Sequence, residues 1–543
     1  MSELPVVVIG AGPQGLAAAT HLRERGLPAL VLEAGPAVAS AVDQWSHVRL
    51  FSAWTELVDQ AAARLLASTG WAAPVEGYPT GGEWIAQYLA PLAEVLGEAV
   101  RYDSRVTGVS RKGRDRLVDA GRAEQPFTVH IAQADGSVEK IDARAVIDAS
   151  GTWTSPNPAG ADGLPALGEG AAVTAGVVSY LPPTPEQAEA LAGRHVVVVG
   201  AGHSAMTAVI QLGALVESAP GTRASWVVRR GTNGVSFGGG AADQLPQRGA
   251  LGAGAKKAVD EGLVELVTGF RTDRIELVDG RAVLIGEDGR ELAPADAVVV
   301  LTGFRPDLSF LTEMRLELDT TLQAPVRIAA DVDPNLHSCG DVAATGAADL
   351  AHPETDLYLV GMKSYGRAPT FLAMTGYEQV RSVVAELAGD HEAAARVELV
   401  LPDTGVCGGS GAFDDPNASG GGCCGSTSVA VSPGLEWAPA ACTLPTAEQP
   451  LRLSEFDDLF TTALRRVDRV AATRARLTLA ETGGVRATAE DLTARESACC
   501  SFFTFTISAP DPGGLILDIE VAVAHVDVLN ALVARASGAA GRP

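Results

Sequence analysis

The chain has 543 residues, too many for one hydrophobic core, and its length predicts three or four domains. Hydrophobic residues make up 47 % and charged residues 20 %, as is typical of globular proteins. The formal net charge of −25 argues against nucleic-acid and anionic membrane partners, because both attract clustered lysine and arginine. Since no apolar run approaches the roughly 18 residues of a membrane span and no basic flank precedes the first one, we expect a cytoplasmic protein without a signal peptide.

The first nucleotide motif lies close to the N-terminus. An apolar strand leads into the turn GAGPQG, which is followed by an Ala/Leu-rich helix and a second strand that ends at Glu33. In such a motif Gly10 permits the tight turn, Gly12 lets the backbone approach a pyrophosphate, and Gly15 allows close packing of helix and strand. The helix N-terminus attracts phosphate charge, and Glu33 falls where a carboxylate can accept hydrogen bonds from a ribose. The stretch predicts a dinucleotide site.

A second motif of the same kind is HVVVVGAGHSAMTA. Its turn contains four residues that we expect to lie at a nucleotide, namely Gly200, Gly202, Ser204 and Ala205. The strand that follows ends not in an acid but in Arg229 and Arg230. A guanidinium at this position can pair with a 2′-phosphate, which favours NADPH over NADH. The alternative is that both arginines are a solvated strand end.

Three later stretches fit a plan with two dinucleotides. AVIDASGTWTSPNP, which contains Gly151, and AVVVLTGFRPDLSF are each a buried strand that leads into a turn of small residues. Such turns let the chain cross between two domains close to a cofactor. In LHSCGDVA, Gly340 and Asp341 stand at the end of a predicted strand, where Asp341 could accept a hydrogen bond from a ribityl hydroxyl.

Together these motifs resemble the flavoproteins with two dinucleotide-binding domains, in particular the flavin-containing monooxygenase-like group. Within that group the chain looks most like the flavoproteins encoded beside arsenic-resistance genes. The resemblance covers about residues 1–390 and implies an α/β fold, with FAD in an outer Rossmann-like domain and NADPH in a second one inserted into it. It also implies that Asp43–Trp54, including Trp45, lies along the flavin ring, and that a helix beginning near Arg367–Phe371 points its N-terminus at the flavin.

The predicted domain organisation has five parts. They are the first part of the FAD domain (1–170), the NADPH domain (171–306), the second part of the FAD domain (307–394), a Gly/Pro/Cys-rich linker (395–451) and a small α+β domain with a cysteine pair (452–543). In the small domain, residues 454–477 have helical periodicity, SFFTFTIS and LILDIEVAV alternate like strands, and AHVDVLNALVARA predicts a closing helix.

Two departures from related enzymes bear on the reaction. The Phe-x-Gly and His that precede the NADPH motif in the monooxygenase fingerprint are missing from GEGAAVTAGVVSYLPP, which leaves electron transfer without oxygenation as an alternative. The chain also contains no CxxC, and residues 34–60 and 200–300 contain no cysteine. A redox-active dithiol is therefore excluded from its usual places beside the flavin.

Six of the seven cysteines follow residue 400. In the linker, adjacent thiols in SGGGCCGSTS suit a soft ion better than zinc, which favours CxxC-type spacing in ordered knuckles. Cys407, Cys423 and Cys424 could bind arsenite through three thiolates or a mercuric ion through two. For Cys499 and Cys500, a functional role and a role as small buried apolar side chains at a strand start remain equally open.

The leading hypothesis is an NADPH-dependent FAD oxidoreductase or monooxygenase that acts on a thiophilic metal(loid) compound such as an arsenical, in resistance or detoxification. A second hypothesis keeps the flavoenzyme but replaces the metal(loid) by a small organic N- or S-nucleophile, with the terminal domain serving homo-oligomerisation. A third treats the terminal segment as a metal(loid)-binding or sensing module that uses the flavin as an electron source. Spacing alone assigns no catalytic acid or base.

Overall fold

The computed structural model divides the chain into two units, Met1–Ser426 and Thr427–Pro543. The first unit is described over residues 4–230, 237, 245–334, 344–369 and 371–399. The second is described at residues 456, 459–471, 473–480, 484–499, 503–509, 514–521, 529, 532–533 and 536.

The strands are numbered in chain order. They are β1 Val6–Ile9, β2 Ala29–Leu32, β3 Val100–Arg101, β4 Ser104–Arg111, β5 Phe127–Gln133, β6 Val138–Ala143, β7 Ala145–Asp148, β8 Val178–Ser179, β9 His195–Val199, β10 Arg223–Val227, β11 Glu265–Val267, β12 Thr272–Val278, β13 Arg281–Gly286, β14 Ala297–Val300, β15 Leu357–Leu359, β16 Leu464–Ala471, β17 Arg474–Ala480, β18 Phe503–Ser508 and β19 Gly514–Val521.

The α-helices are numbered in the same way. They are α1 Pro13–Glu24, α2 Ser40–Asp43, α3 Trp54–Leu57, α4 Gln60–Ala67, α5 Gly81–Trp84, α6 Ala90–Leu96, α7 Glu169–Thr174, α8 Pro185–Glu189, α9 His203–Ser218, α10 Pro246–Asp260, α11 Val326–Val332, α12 Ala373–Leu387, α13 His391–Ala395 and α14 Val485–Cys499. Short 3-10 turns span Gly97–Ala99, Ser309–Leu311 and Gly361–Tyr365, and Ile85–Leu89 is a π-helical turn.

A five-stranded parallel sheet in the order β15-β7-β1-β2-β3 carries the first glycine motif. In β1, Val6 and Val8 pack against α1 and α12, whereas Val7 and Ile9 pack against the antiparallel sheet β4-β5-β6. Alternate residues of the strand therefore belong to two different cores. Burial on both faces explains why β1 is a continuous apolar run in the sequence.

A second parallel sheet in the order β11-β10-β9-β14-β8 carries the other glycine motif. Val196 and Val198 of β9 pack with α9 and α10, and Val197 and Val199 pack with the hairpin β12-β13. The second sheet takes its strands from β8–β14, whereas β7 and β15 both lie in the first sheet. The prediction of two Rossmann-like domains, one inserted in the other, is confirmed; the predicted residue boundaries of the five parts remain predictions.

The second unit contains an antiparallel sheet in the order β16-β17-β19-β18 and the helix α14, which confirms a small α+β region. The predicted helix over residues 454–477 is wrong beyond its first turns. Phe456, Leu459, Phe460 and Ala463 are buried at helical spacing, but the chain then forms the hairpin β16-β17. In β17 every second side chain from residue 475 to 479 is buried. The strand pairs with β16 along one edge and with β19 along the other, and this pairing favours the alternation of a strand over a helix.

Cys499 does not stand at a strand start as expected. Cys499 is the last residue of α14, and Cys500 lies outside the described residues. The two predicted strands of this unit correspond to β18 and β19, and the described residues of the predicted closing helix, which are 529, 532, 533 and 536, are helical.

A buried ion-pair network holds the antiparallel sheet of the first unit to the segment before β15. Glu354 accepts hydrogen bonds from Arg111 Nε at 2.8 Å and from Arg122 Nη2 at 2.6 Å, and all three side chains are at most 5 % exposed. Burial alone would raise the pKa of the Glu354 carboxyl. The hydrogen bonds from the two arginines outweigh that effect and hold the pKa below its ordinary value.

Replacing Glu354 by Gln should lower the free energy of unfolding of the first unit by about 3–5 kcal/mol, because two buried guanidinium groups lose their counter-charge. The urea-induced transition can be followed by tryptophan fluorescence, since six of the seven tryptophans precede residue 427. The Glu354 carboxyl has a lowered pKa in the folded state, so its contribution is present above its ordinary pKa of 4.5 and is lost as the pH falls through the folded value.

The matched control is Glu139→Gln, which breaks the ion pair with Arg101 at the surface, where the two side chains are 34 % and 41 % exposed. This change should cost no more than about 1 kcal/mol, because solvent screens exposed pairs. Equal losses for the two variants, or a difference that does not shrink in acid, would contradict the role given to Glu354.

Candidate dinucleotide sites

The first glycine turn connects β1 to α1 and depends on contacts that only glycine allows. Gly10 has φ +98°, and a Cβ atom there would lie 3.0 Å from Ala149 O and Ser150 Cα. A Cβ atom on Gly15 would overlap the carbonyl oxygen of Gly10, whereas no described atom lies within 4 Å of a Cβ atom on Gly12. The turn is therefore closed towards the strand and open at Gly12, as an approaching pyrophosphate requires.

The second turn, between β9 and α9, repeats this arrangement. Gly200 has φ +133°, and a Cβ atom there would overlap Leu301 O. Gly202 is again open among the described atoms, and Ser204 beside it is exposed. Ala205, at the position that corresponds to Gly15, is fully buried, so the second helix tolerates a methyl group where the first tolerates none.

The helices that start at the predicted cofactor contacts lack side-chain caps. In the described part of the chain, α1, α9 and α12 have no hydrogen bond from the side chain of the N-cap residue. The N-cap side chains of α4, α5, α8 and α13 accept backbone N–H groups, whereas α2, α6, α7, α10 and α11 lack such a bond as α1, α9 and α12 do. Uncapped N–H groups at a helix start attract anions, so α1 and α9 fit the phosphates of two dinucleotides.

Glu33 lies directly beside the first turn. Its carboxylate accepts hydrogen bonds from Ala11 N at 2.8 Å and from Gly35 N at 2.9 Å. These two bonds fix the position of the carboxylate at the end of β2. A carboxylate has further acceptor sites, so Glu33 could accept hydrogen bonds from a ribose without losing its backbone partners.

Arg229 and Arg230 follow the end of β10, at the same edge of the sheet as the second turn. Arg229 is exposed, and its Nη1 donates to Ala161 O at 3.1 Å. Arg230 is half-buried, and its carbonyl oxygen accepts a hydrogen bond from Gly269 N. The structure thus places both residues at the edge expected for a nucleotide.

Aromatic side chains meet where the chain crosses between the two sheets. The Trp153 ring lies 4.7 Å from that of Phe304 and 6.4 Å from that of Trp45, measured between centroids. Trp153 Nε1 also donates to Gln44 Oε1 at 3.1 Å. Gly151, two residues earlier, has φ +67° and forms the turn that starts the crossing. Trp45, which belongs to the predicted flavin segment, is therefore in contact with the crossing segment.

The flavin segment and the second glycine turn are also in contact. The rings of Phe51 and His203 lie 5.2 Å apart, and His203 is the first residue of α9, directly after Gly202. This contact brings the start of the second nucleotide helix to the segment expected along the flavin. A packing role for His203, as opposed to proton transfer, agrees with this position.

Gly340 and Asp341 lie outside the described residues. The strand that joins the first sheet next to β7 is β15, which begins 16 residues after Asp341. Because the carboxyl ends of parallel strands meet at one edge of a sheet, the turn after β15 lies at the edge that also carries the first glycine turn. Residues of this turn, and Lys363 above all, were not predicted from the sequence.

Two further features at this edge were not identified from the sequence. Gln14, in the first turn of α1, donates through Nε2 to Ala373 O at 3.2 Å and so joins the starts of α1 and α12. A Cβ atom on Gly361 or Gly376 would approach Gln14 to within 2.8 Å. The available signal was weak, since neither a glutamine inside a glycine motif nor a scattered glycine indicates a particular partner.

The predicted metal(loid) ligands Cys407, Cys423 and Cys424 lie outside the described residues. Within the described ranges, no group of three or more His, Cys, Asp or Glu side chains is arranged to hold a metal ion. No helix in those ranges is both long and apolar enough to span a membrane.

Replacing Gly12 by Ala should weaken FAD binding about tenfold or more, because the methyl group would occupy space that the pyrophosphate needs. The melting temperature of the apoprotein should not change, since the methyl group meets no described atom. Gly15→Ala is the matched comparison, and it should lower the apoprotein melting temperature because its methyl group overlaps Gly10 O. Thermal melts and titration of flavin fluorescence measure the two effects, and equal destabilisation by both variants would contradict the assignment.

Known proteins share this architecture. Residues 7–330 match the family described as pyridine nucleotide-disulphide oxidoreductase. Over 212 residues the chain is 29 % identical to indole-3-pyruvate monooxygenase of Oryza sativa subsp. japonica. The aligned region covers 38 % of this chain and 44 % of that protein. The chain therefore spans less than half the length of this curated relative.

Among solved structures, the fold is similar to that of two bacillithiol disulfide reductases. The Bacillus cereus protein has a TM-score of 0.53 and 22 % identity, and the Staphylococcus aureus protein has a TM-score of 0.50 and 15 % identity. Each comparison covers 72 % of this chain and 99 % of the other. Since the family match alone includes more than half of the 543 residues, the chain belongs to the pyridine nucleotide-disulphide oxidoreductase family and is an oxidoreductase that uses FAD and NAD(P)H.

Proposed function

We propose that the protein is an NADPH-dependent FAD oxidoreductase or monooxygenase that acts on a thiophilic metal(loid) compound such as an arsenical, in detoxification. The observation that best supports the redox part is the contact between Phe51 and His203 at 5.2 Å. It joins the predicted flavin segment to the start of the second nucleotide helix. A nicotinamide bound at that helix would therefore have a short path to the flavin.

When bound, FAD and NADPH supply the redox chemistry, in which a hydride passes from NADPH to FAD and then to oxygen or to a bound substrate. The chain contributes binding and orientation. Gly12 and Gly202 leave room for the two pyrophosphates, and the N-termini of α1 and α9, which carry no side-chain cap, attract their charge. Glu33 orients the ribose on the FAD side.

The preference for NADPH rests on charge at the end of β10. A 2′-phosphate would meet two guanidinium groups there, and no carboxylate stands at that strand end to favour a ribose hydroxyl. A bidentate guanidinium–phosphate pair is among the stronger hydrogen-bonded contacts in proteins.

Replacing Arg229 and Arg230 by Gln should raise the KM for NADPH by about 10- to 100-fold, because hydrogen bonds to a charged group contribute about 1.5–3 kcal/mol. The KM for NADH should change little, since NADH lacks the phosphate. Stopped-flow measurement of flavin reduction gives both values. Arg223→Gln at the start of the same strand, on an exposed side chain, is the control, and an equal loss with NADH would refute the phosphate role.

The thiols of the chain support the proposed substrate class. The chain contains no CxxC that could pass electrons from the flavin to a disulfide, yet it carries adjacent cysteines in a Gly/Ser-rich linker. A sequence of this composition predicts no core in which thiols could be buried, and thiolates are ligands that soft ions prefer. Capture by Cys407, Cys423 and Cys424 would present a metal(loid) to the flavin domain.

Replacing Cys423 and Cys424 by Ser should raise the KM for methylarsenite, arsenite or mercuric ion, whichever is turned over, by about tenfold or more, because two of the proposed thiolate ligands are lost. The rate of flavin reduction by NADPH should not change. Cys442→Ser, in the same linker, is the control. Unaltered turnover of the metal(loid) panel by the double variant would remove the capture hypothesis while leaving the flavoenzyme intact.

A second candidate is the oxygenation of a small organic N- or S-nucleophile. The half-buried rings of Trp45, Trp153 and Phe304 at the crossing between the sheets favour it, because aromatic side chains supply apolar surface for an organic substrate. Oxygen consumption that is stimulated by amines or thioethers and indifferent to arsenite would select this candidate.

A further inference from the structure

A fully buried ion pair lies at the carboxyl edge of the first sheet. Lys363 Nζ is 2.6 Å from Asp148 Oδ2, and both side chains are 0 % exposed. Asp148 is the last residue of β7, and Lys363 stands in the 3-10 turn that follows β15. Removing two charges from water is costly, and apolar residues of similar volume often stabilise a fold as well or better. Stability by itself is therefore a weak explanation for this pair.

Ser150 makes polar contacts with both members of the pair. Its Oγ donates to Asp148 Oδ1 at 2.6 Å and accepts from Lys363 Nζ at 3.0 Å, and its backbone N–H donates to the same Oδ1 at 3.1 Å. The ring centroid of Phe310 lies 4.4 Å from Lys363 Nζ, which is within the range of a cation–π contact. Each charge is thus fixed in position by several groups.

The same residues are in contact with the first glycine turn. A Cβ atom on Gly10 would lie 3.0 Å from Ser150 Cα, so the turn after β1 packs on the turn after β7. The turn after β15 is attached to both, since Val360 N donates to Asp148 O at 3.0 Å and Lys363 bonds to Ser150. Three separate parts of the sequence therefore meet at the ion pair, beside the proposed pyrophosphate site.

We propose that Lys363 and Asp148 are positioning residues for FAD: the pair locks the turns after β1, β7 and β15 into one cofactor-binding edge and holds two opposite, fixed charges there. The inference rests on the use of FAD but not on the proposed substrate. A failure of the metal(loid) hypothesis would leave it untouched, because its test needs no substrate.

The test compares Lys363→Met and Asp148→Asn in the full-length protein, with the affinity for FAD and the midpoint potential of bound FAD as readouts. Both variants should bind FAD about tenfold more weakly, since each leaves one buried charge without its partner. Reduction makes the bound flavin more negative. Lys363→Met, which leaves the Asp148 carboxylate, should therefore shift the potential to more negative values, and Asp148→Asn, which leaves the ammonium group, should shift it to more positive values.

Potential shifts of opposite sign in the two variants distinguish this proposal from a purely structural role, because the effect of loosened packing on the potential does not depend on the sign of the remaining charge. The control is Glu354→Gln, which removes a buried carboxylate of the same domain before the start of β15, at the amino edge of the sheet. It should lower stability without moving the potential. Shifts of the same sign in Lys363→Met and Asp148→Asn, or shifts no larger than that of Glu354→Gln, would overturn the proposal.

Ser150→Ala keeps both charges and removes only the hydroxyl group that joins them, so it serves where the charge variants fail to fold. The apoprotein should lose less thermal stability than either charge variant, because only hydrogen bonds are removed, while FAD dissociates several-fold more readily because the turn after β7 is less firmly held. FAD affinity equal to that of the unaltered protein would overturn the proposal on its own.

Discussion

Close backbone approach at the two glycine turns is the constraint on which both nucleotide sites depend. A side-chain atom on Gly15 would overlap the carbonyl oxygen of Gly10, and one on Gly200 would overlap Leu301 O. Contacts this close direct the N-termini of α1 and α9 at the carboxyl edges of their sheets. Because Gly12 and Gly202 leave that edge open among the described atoms, the same packing that orders the fold leaves room for the two phosphate groups expected there.

Buried charge in the first unit is divided between the two edges of one sheet. At the amino edge, Glu354 joins Arg111 and Arg122 and holds the antiparallel layer in place. At the carboxyl edge, Lys363 and Asp148 connect turns from three parts of the chain. In open α/β sheets the carboxyl edge is the ligand side, so the first network belongs to stability and the second to the cofactor.

The chain has the framework of a disulphide oxidoreductase without the thiol pair that such a name suggests. No CxxC is present, and most of the cysteines follow residue 400. On the function proposed above, electrons that reach the flavin pass to oxygen, to a substrate or to a species held by thiols of the linker. Trp153 of the crossing segment contacts Trp45 of the predicted flavin segment, so the proposed exchange would lie at the junction of the two sheets.

By itself the sequence determined the two Rossmann-like domains and the use of FAD and NAD(P)H, because each glycine motif is encoded in a short stretch where strand, turn and helix succeed one another; the individual cofactor contacts stay predictions. It misjudged residues 464–477, whose helical periodicity predicted a helix but which form strands β16 and β17 because they pair with each other and β17 pairs with β19. The ion pair of Lys363 with Asp148 could not be predicted at all, since its partners are 215 positions apart and adjoin apolar runs that give no hint of each other. Local order decides which turn or helix comes after a strand, but only the folded sheet decides which strand ends meet.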